Sequence, residues 1–413
     1  MITEGELRPI RRRALSVLIP ATASSSLAVF IAFPVMNIMG EQLSGSRAWS
    51  GLPSTFLFVG SALASQSLSA FMARAGRRRG LVLGYLVCAL GAGLTVWAAR
   101  LSSFPLMLVG SLLFGVGLAS GYLSRYTAAD VALPAQRGKA ISLVLWAFVI
   151  GALLGPNLLV PALEATEALR LPELSGPFVI AAAAVLVAAL LIGLLLRPDP
   201  MEIARRIAPP SESNPRSERR PIGESLRTPP VQVAMAAIVF SQLSMIMVMS
   251  MTAVHMHALQ LSFRVVGFVL SAHFVGMFAL SPATGWAADR FGRTRLIAAG
   301  ATTLVAAALV AAVGSDRETF LFGGLFLLGV GWNMCFVSGS ALLTDSVPHG
   351  ARAQMQGFTD LLSGGMSALS SLASGVILAA LGFPALALLA AGLMLATLAV
   401  VAARRRAIQP ALT

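Results

Sequence analysis

Charge is what this sequence has least of. Only 11% of its 413 residues are Asp, Glu, Lys or Arg, where a soluble domain carries about a quarter. That shortage excludes an ordinary water-soluble globule, and the 57% hydrophobic content and mean hydropathy of +0.82 agree. Cysteine is nearly absent. Cys88 and Cys335 both fall in apolar runs, so no disulfide framework is indicated. Acids are scarce where they would matter: of the 17 Asp and Glu, Asp360 alone sits plausibly within an apolar run. This argues against a carboxylate cage for calcium, magnesium or manganese and against an acid pair for catalysis. A nucleotide-binding loop is missing, which argues against ATP hydrolysis. Strict apolar–polar alternation is missing too, which excludes a transmembrane barrel. The chain is not expected to be an enzyme.

What is present is long hydrophobic runs. Twelve recur, over 14–36, 52–73, 80–99, 105–126, 139–161, 177–196, 231–254, 265–287, 296–314, 320–343, 356–379 and 383–403. Each is long enough to cross a hydrocarbon core of about 30 Å as a helix. The expectation is an all-α polytopic membrane protein with twelve transmembrane helices. The first run follows Arg11-Arg12-Arg13 but is too long for a signal-peptide core, so it reads as a retained span. The net charge of +13 could suggest nucleic acid, but its placement points to the lipid bilayer instead. With the N-terminus inside, 25 basic residues fall on cytoplasmic segments and five (Arg47, Arg100, Arg170, Arg264, Arg317) outside. That asymmetry is the positive-inside rule; it predicts both termini in the cytoplasm of a bacterial-type inner membrane.

The longest polar interval, 197–230, is rich in Pro, Ser and Arg and reads as a largely irregular cytoplasmic linker. It divides the chain into a six-span half at 1–196 and another at 231–413. The halves carry matching markers. "MARAGRRRG" and "AADRFGRTR" both close a second span, with Gly76 and Gly292 offset by 216. Asp130 and Asp345 both follow a fourth span, offset by 215. Two markers at nearly one offset indicate duplication. Parallel pseudo-symmetric halves of this kind describe the major facilitator fold. "GWAADRFGRTR" resembles the loop between the second and third helices of each half in the major facilitator superfamily, through Gly285, Asp289, Arg290, Gly292 and Arg293. The resemblance implies a cytoplasmic gating loop that latches helix ends, with the carboxylate meeting basic groups or a helix N-terminus. In the first-half copy Ala73 stands in place of the acid, which leaves that latch incomplete.

Five of the 17 methionines (Met245, Met247, Met249, Met251, Met256) and three of the four histidines (His255, His257, His273) gather around the seventh and eighth spans. Counted from the loop that joins the two spans, Met245, Met249, His273 and Met277 lie at overlapping depths, about 15–26 Å down at 1.5 Å per residue. Met245 and Met249 share one helical face, as do His273 and Met277. Thioethers with an imidazole suit a soft or borderline ion, copper(I) before others. The repeat supplies a control: at the offset of 216 the four map onto Val29, Phe33, Leu57 and Ser61, so the architecture does not demand Met and His there. Methionine is otherwise common core filling, whereas an ionisable side chain in mid-membrane defaults to a functional site.

The pair Met-x-x-x-Met and His-x-x-x-Met also resembles the motifs of the CcoA-type copper importers, a major facilitator subfamily. The resemblance implies a secondary transporter, a monomer with no permanently bound cofactor, that brings copper into the cytoplasm for haem–copper oxidase assembly. These four residues would be its transport ligands. The wider group includes riboflavin carriers, so a small organic solute such as riboflavin remains the alternative cargo. A metal sensor without transport is a third reading; the short, unpatterned linker and tails give it little support. His255, Met256 and His257, with Met36 and Met39 at the same outer level, read either as a metal entry site or as ordinary loop and packing residues. Asp360 reads as a proton site or, better, as an ion-pair partner near its helix end. Asn157 and Gln66 are expected as polar glue between helices, and Cys335, beside Asn333 and Met334, as a small buried residue.

Overall fold

The computed structural model describes residues 4–132, 137–168, 170–207, 222–347 and 349–408. It is built from helices: α1 (Glu4–Ser44), a 3₁₀ turn at Arg47–Trp49, α2 (Leu52–Ala75), α3 (Arg77–Arg100), α4 (Phe104–Asp130), α5 (Arg137–Asn157), α6 (Leu159–Ala168), α7 (Gly176–Leu195), α8 (Pro200–Ile207), α9 (Ile222–Ser225), α10 (Pro229–Ala258), α11 (Phe263–Phe278), α12 (Ser281–Phe291), α13 (Arg293–Val313), α14 (Glu318–Ser346) and α15 (His349–Ile408). Helices α2, α4, α7, α10 and α12 each begin with proline in their first two positions. There the missing amide leaves no bond unmade and the fixed φ suits the first turn.

Among the described residues nine helices are long and apolar enough to cross a membrane, or eleven when the bent pairs α5–α6 and α11–α12 each count as one. Helix α15 is itself broken at Gly382, where φ is 79°. Its two arms cover the last two predicted spans, which brings the number to twelve. The fifth and eighth spans are therefore not the straight helices expected from their hydropathy. They bend by 50° and 40°, and each bend has a local cause. In the fifth, Pro156 and Pro161 flank the break and cannot donate to the preceding turn. Asn157 Nδ2 donates to the Leu153 carbonyl at 2.6 Å and to Ser271 Oγ at 3.1 Å, so Asn157 does join two helices; Gln66 is exposed. In the eighth, Asn333 Nδ2 donates to the Met277 carbonyl at 2.6 Å and to Ser281 Oγ at 2.7 Å, while its Oδ1 accepts from Thr284 Oγ1 at 2.6 Å. One buried amide thus holds both sides of the break.

The chain forms two compact units: Met1–Glu212 with Ser262–Ser271, and Ser213–Leu261 with Ala272–Thr413. In the first, α1 packs on α5 and α7, α3 on α4 and α7, and α2 on α4. In the second, α10 packs on α15 and α14, α13 on α14 and α15, and α12 on α14. The same neighbours recur in the same order, as a duplicated six-span unit requires.

The repeated loops agree in detail. Gly76 (φ 96°) and Gly292 (φ 93°) each end one helix and begin the next in a backbone conformation that disfavours a side chain. Arg77 Nε meets Asp130 at 2.7 Å, and Arg293 at the equivalent position pairs with Asp345 and, at 3.7 Å, with Asp289. The acid missing at Ala73 is supplied from elsewhere. Asp199 accepts from the amides of Arg77 and Arg78, each at 3.1 Å, and so caps the start of α3. The same carboxylate accepts from Met201 N at 2.9 Å and caps α8. The interval expected to be irregular therefore opens with a helix. Asp199-Pro200 is an N-cap followed by a proline at the first position, and Ile203 is buried where α8 packs on α3 and α4. Replacing Asp199 with alanine is expected to cost about 1 kcal/mol per cap lost, seen as a lower melting temperature in detergent; Asp199→Asn should recover most of it.

Candidate functional site

Helix α10 is buried on nearly every side, with Met245, Met247, Met249, Met251 and Met256 all inside. Four polar contacts tie it to α15: Gln242 Nε2 to Ser367 Oγ at 3.0 Å, Ser370 Oγ to the Leu243 carbonyl at 2.7 Å, Ser244 Oγ to the Ala390 carbonyl at 3.1 Å, and Ser250 Oγ with Ser374 Oγ at 3.0 Å. The Met245–Met249 face is thus held in register by hydroxyls rather than by loose apolar contact. Each such bond in a membrane helix pair contributes about 0.6 kcal/mol. Ser374→Ala alone should shift the melting temperature little, and Ser370→Ala plus Ser374→Ala together should shift it measurably.

His273 is fully buried. Gly276 on α11 and Gly329 on α14 let the two backbones approach; a Cβ on Gly329 would run into the His273 carbonyl oxygen. At that spacing His273 Nδ1 reaches the Leu325 carbonyl at 2.8 Å. A carbonyl oxygen only accepts, so Nδ1 carries the proton. In the neutral ring this leaves Nε2 as a lone pair, and Nε2 is buried with no hydrogen-bond partner among the described residues. A carbonyl on one imidazole nitrogen with the other left open is how a metal-binding histidine is oriented. Met277, one turn along and also buried, sits at the break that Asn333 braces. Among the described residues no three His, Cys, Asp or Glu gather where they could hold a metal, so a metal here would rest on thioether and imidazole. The two i, i+4 pairs lie buried on their own helices; no hydrogen bond or ring contact joins one pair to the other among the described residues.

The residues read as an entry site are placed differently from one another. His255 stacks flat on Phe383 at 4.4 Å, and its Nε2 bonds the Ser315 carbonyl at 2.8 Å. It fastens the end of α10 to the loop before α14 and to the kink of α15. Met256 is fully buried and His257 half-buried, while Met36 and Met39 are core residues of the first unit. Asp360 is exposed, as are Asp289 and Arg290 in the gating loop. Cys335 is buried against the Ile297 carbonyl.

One cluster escaped the sequence reading. Trp332 Nε1 donates to Gln242 Oε1 at 2.8 Å. The indole stacks on Phe336 (4.7 Å, 13°) and takes the edge of Phe278 (6.2 Å, 70°). Trp332 and Phe336 are spaced i, i+4 in "GWNMCF", a signal that was legible but is shared with ordinary packing. In the first unit a cavity of about 300 Å³ opens at the break of the fifth span, lined by Pro156, Asn157, Val160, Pro161, Glu164 and Arg264.

The family profile described as Major Facilitator Superfamily matches residues 18–262 and 233–412. The MFS-type transporter YddS of Bacillus subtilis (strain 168) is 34% identical over 374 residues, covering 89% of this chain and 85% of the relative. YdeG of the same organism is 34% identical over 344 residues, or 83% and 80%. The riboflavin transporter RfnT of Brucella anthropi is 28% identical over 379 residues, 90% of each chain. The crystal structure of the human organic anion transporter MFSD10 superposes with a TM-score of 0.66 at 18% identity, over 95% of this chain and 99% of that one. Duplicated halves, matched loops, profile and relatives agree: the chain is a multi-pass membrane transporter and belongs to the Major Facilitator Superfamily.

Proposed function

We propose that this transporter carries copper inward across a bacterial cytoplasmic membrane, with Met245, Met249, His273 and Met277 as the ligands the ion meets on the way. The observation that carries the reading is the His273 ring: Nδ1 is committed to Leu325, and Nε2 is left buried with no hydrogen-bond partner among the described residues. A buried nitrogen lone pair without a donor is costly to keep, and a cation that visits it relieves that cost. Thioether ligands are neutral and hold the ion loosely enough for release. A broken helix at the site, as at Met277, is a common feature of transporter substrate sites. The resemblance to CcoA-type importers supports the same cargo.

The second reading is an organic solute, riboflavin first, and the relative RfnT favours it. Radioactive copper and labelled riboflavin, given in parallel to copper-starved cells lacking their own importer, separate the two. Carrier-dependent copper accumulation supports the first reading. Riboflavin accumulation without copper accumulation overturns it in favour of the second.

A further inference from the structure

We propose that Trp332, Phe336, Phe278 and Gln242 form a recognition site for a planar heteroaromatic ring of the flavin or pteridine class. The proposal deepens the organic-solute reading and does not depend on the metal one. Through ring contact or hydrogen bond, one indole joins four spans: α14 with Trp332 and Phe336, α11 with Phe278, α10 with Gln242, and α15 with Ser367 behind Gln242.

Trp332 is only 5% exposed, whereas Phe278, Phe336 and Gln242 are each partly open. The open rim of the cluster thus combines two rings with one amide residue. Other aromatic side chains, such as Phe268 (57%) and Trp286 (61%), are far more exposed. The cluster is also pre-organised. The indole is fixed at its N–H by Gln242, and Gln242 is fixed at its own amide by Ser367, so a ring that stacks there orders little that is not ordered already. The repeat again provides a control. At the offset of 216 the first half has Val116, Ser120, Ala62 and Ser26, so nothing in the architecture requires an aromatic stack. Gln242 lies one turn from Met245, and Phe278 follows Met277; the cluster borders the thioethers without including them.

Purified full-length protein in detergent, titrated with riboflavin and followed by flavin fluorescence, tests this. Stacking on tryptophan quenches flavin emission, and a base–aromatic stack is worth about tenfold in affinity. Wild type should quench saturably. Trp332→Ala and Phe336→Ala should weaken binding by about tenfold or more, Trp332→Phe should keep much of it, and the exposed Trp97→Ala should leave it unchanged. Lumichrome, which has the ring without the ribityl chain, should compete. No saturable quenching in wild type overturns the proposal. So does equal quenching in Trp332→Ala and Phe336→Ala, or riboflavin binding that lumichrome cannot displace. Should Trp332→Ala fail to elute as folded protein, Phe336→Ala and Gln242→Leu carry the test. His273→Ala should bind the ring normally, so failure here leaves the copper reading standing, and failure of copper uptake leaves this one standing.

Discussion

Cells carrying His273→Ala should accumulate no more copper than cells with no carrier, while the variant remains folded in the membrane. In the proposed copper site the ring would offer one ligand atom, Nε2, and its orientation is fixed by the Leu325 carbonyl. Removing even an orienting partner of a metal ligand typically costs 10–100-fold, so removing the ligand itself should cost at least that. His273→Gln separates the two roles of the ring, because its amide can still donate toward Leu325 but offers no imidazole nitrogen. It should rescue stability and not uptake. Met245→Leu is the matched thioether test: it nearly conserves volume, at under about 1.5 kcal/mol in packing, and removes only the sulfur. Full copper uptake in both His273→Ala and Met245→Leu would dismiss the four ligands together.

Gly329→Ala should lower the melting temperature by several degrees, against the usual direction for a glycine replaced within a helix. Alanine ordinarily favours a helix over glycine by about 1 kcal/mol. At 329 the new Cβ would overlap the His273 carbonyl oxygen. Helix α11 must then withdraw from α14, at about 1–3 kcal/mol for overpacking, and the His273–Leu325 bond lengthens with it. Gly323 on the same helix has nothing within 4 Å of its Cβ position, so Gly323→Ala should melt at or above wild type. The difference between the two variants isolates the close approach from helix propensity. A Gly329→Ala protein as stable as Gly323→Ala would mean that α11 and α14 do not meet this way.

Much of this was legible in the residues. Hydropathy alone located all twelve spans, because a helix in lipid must be apolar over its whole length. The repeat was visible at offsets of 216 and 215 because Gly76 and Gly292 each take a positive φ and Asp130 and Asp345 each meet an arginine. The bends were not legible from hydropathy. Pro156 and Pro161 mark the fifth-span break, but how Asn157 and Asn333 brace the two breaks was hidden, because an asparagine in an apolar run does not say which carbonyl it will meet. The four residues proposed as ligands could be listed from their i, i+4 spacing. The tautomer of His273 could not, since it follows from a carbonyl 52 residues further on. Asp199 was hidden for the same reason: its partners Arg77 and Arg78 lie more than 120 residues away.

Asp199 has a mechanical consequence. Its carboxylate fastens the first turn of α8 to the first turn of α3. A pull on the chain beyond Ile207 is therefore shared between the backbone leading back to α7 and the contacts that hold α8 to α3. Part of the load passes through this side chain to the start of α3, beside Gly76, the joint on which α2 turns into α3. Asp199 acts as a cleat, and strain on the connecting segment is felt at that joint as well as at the end of α7.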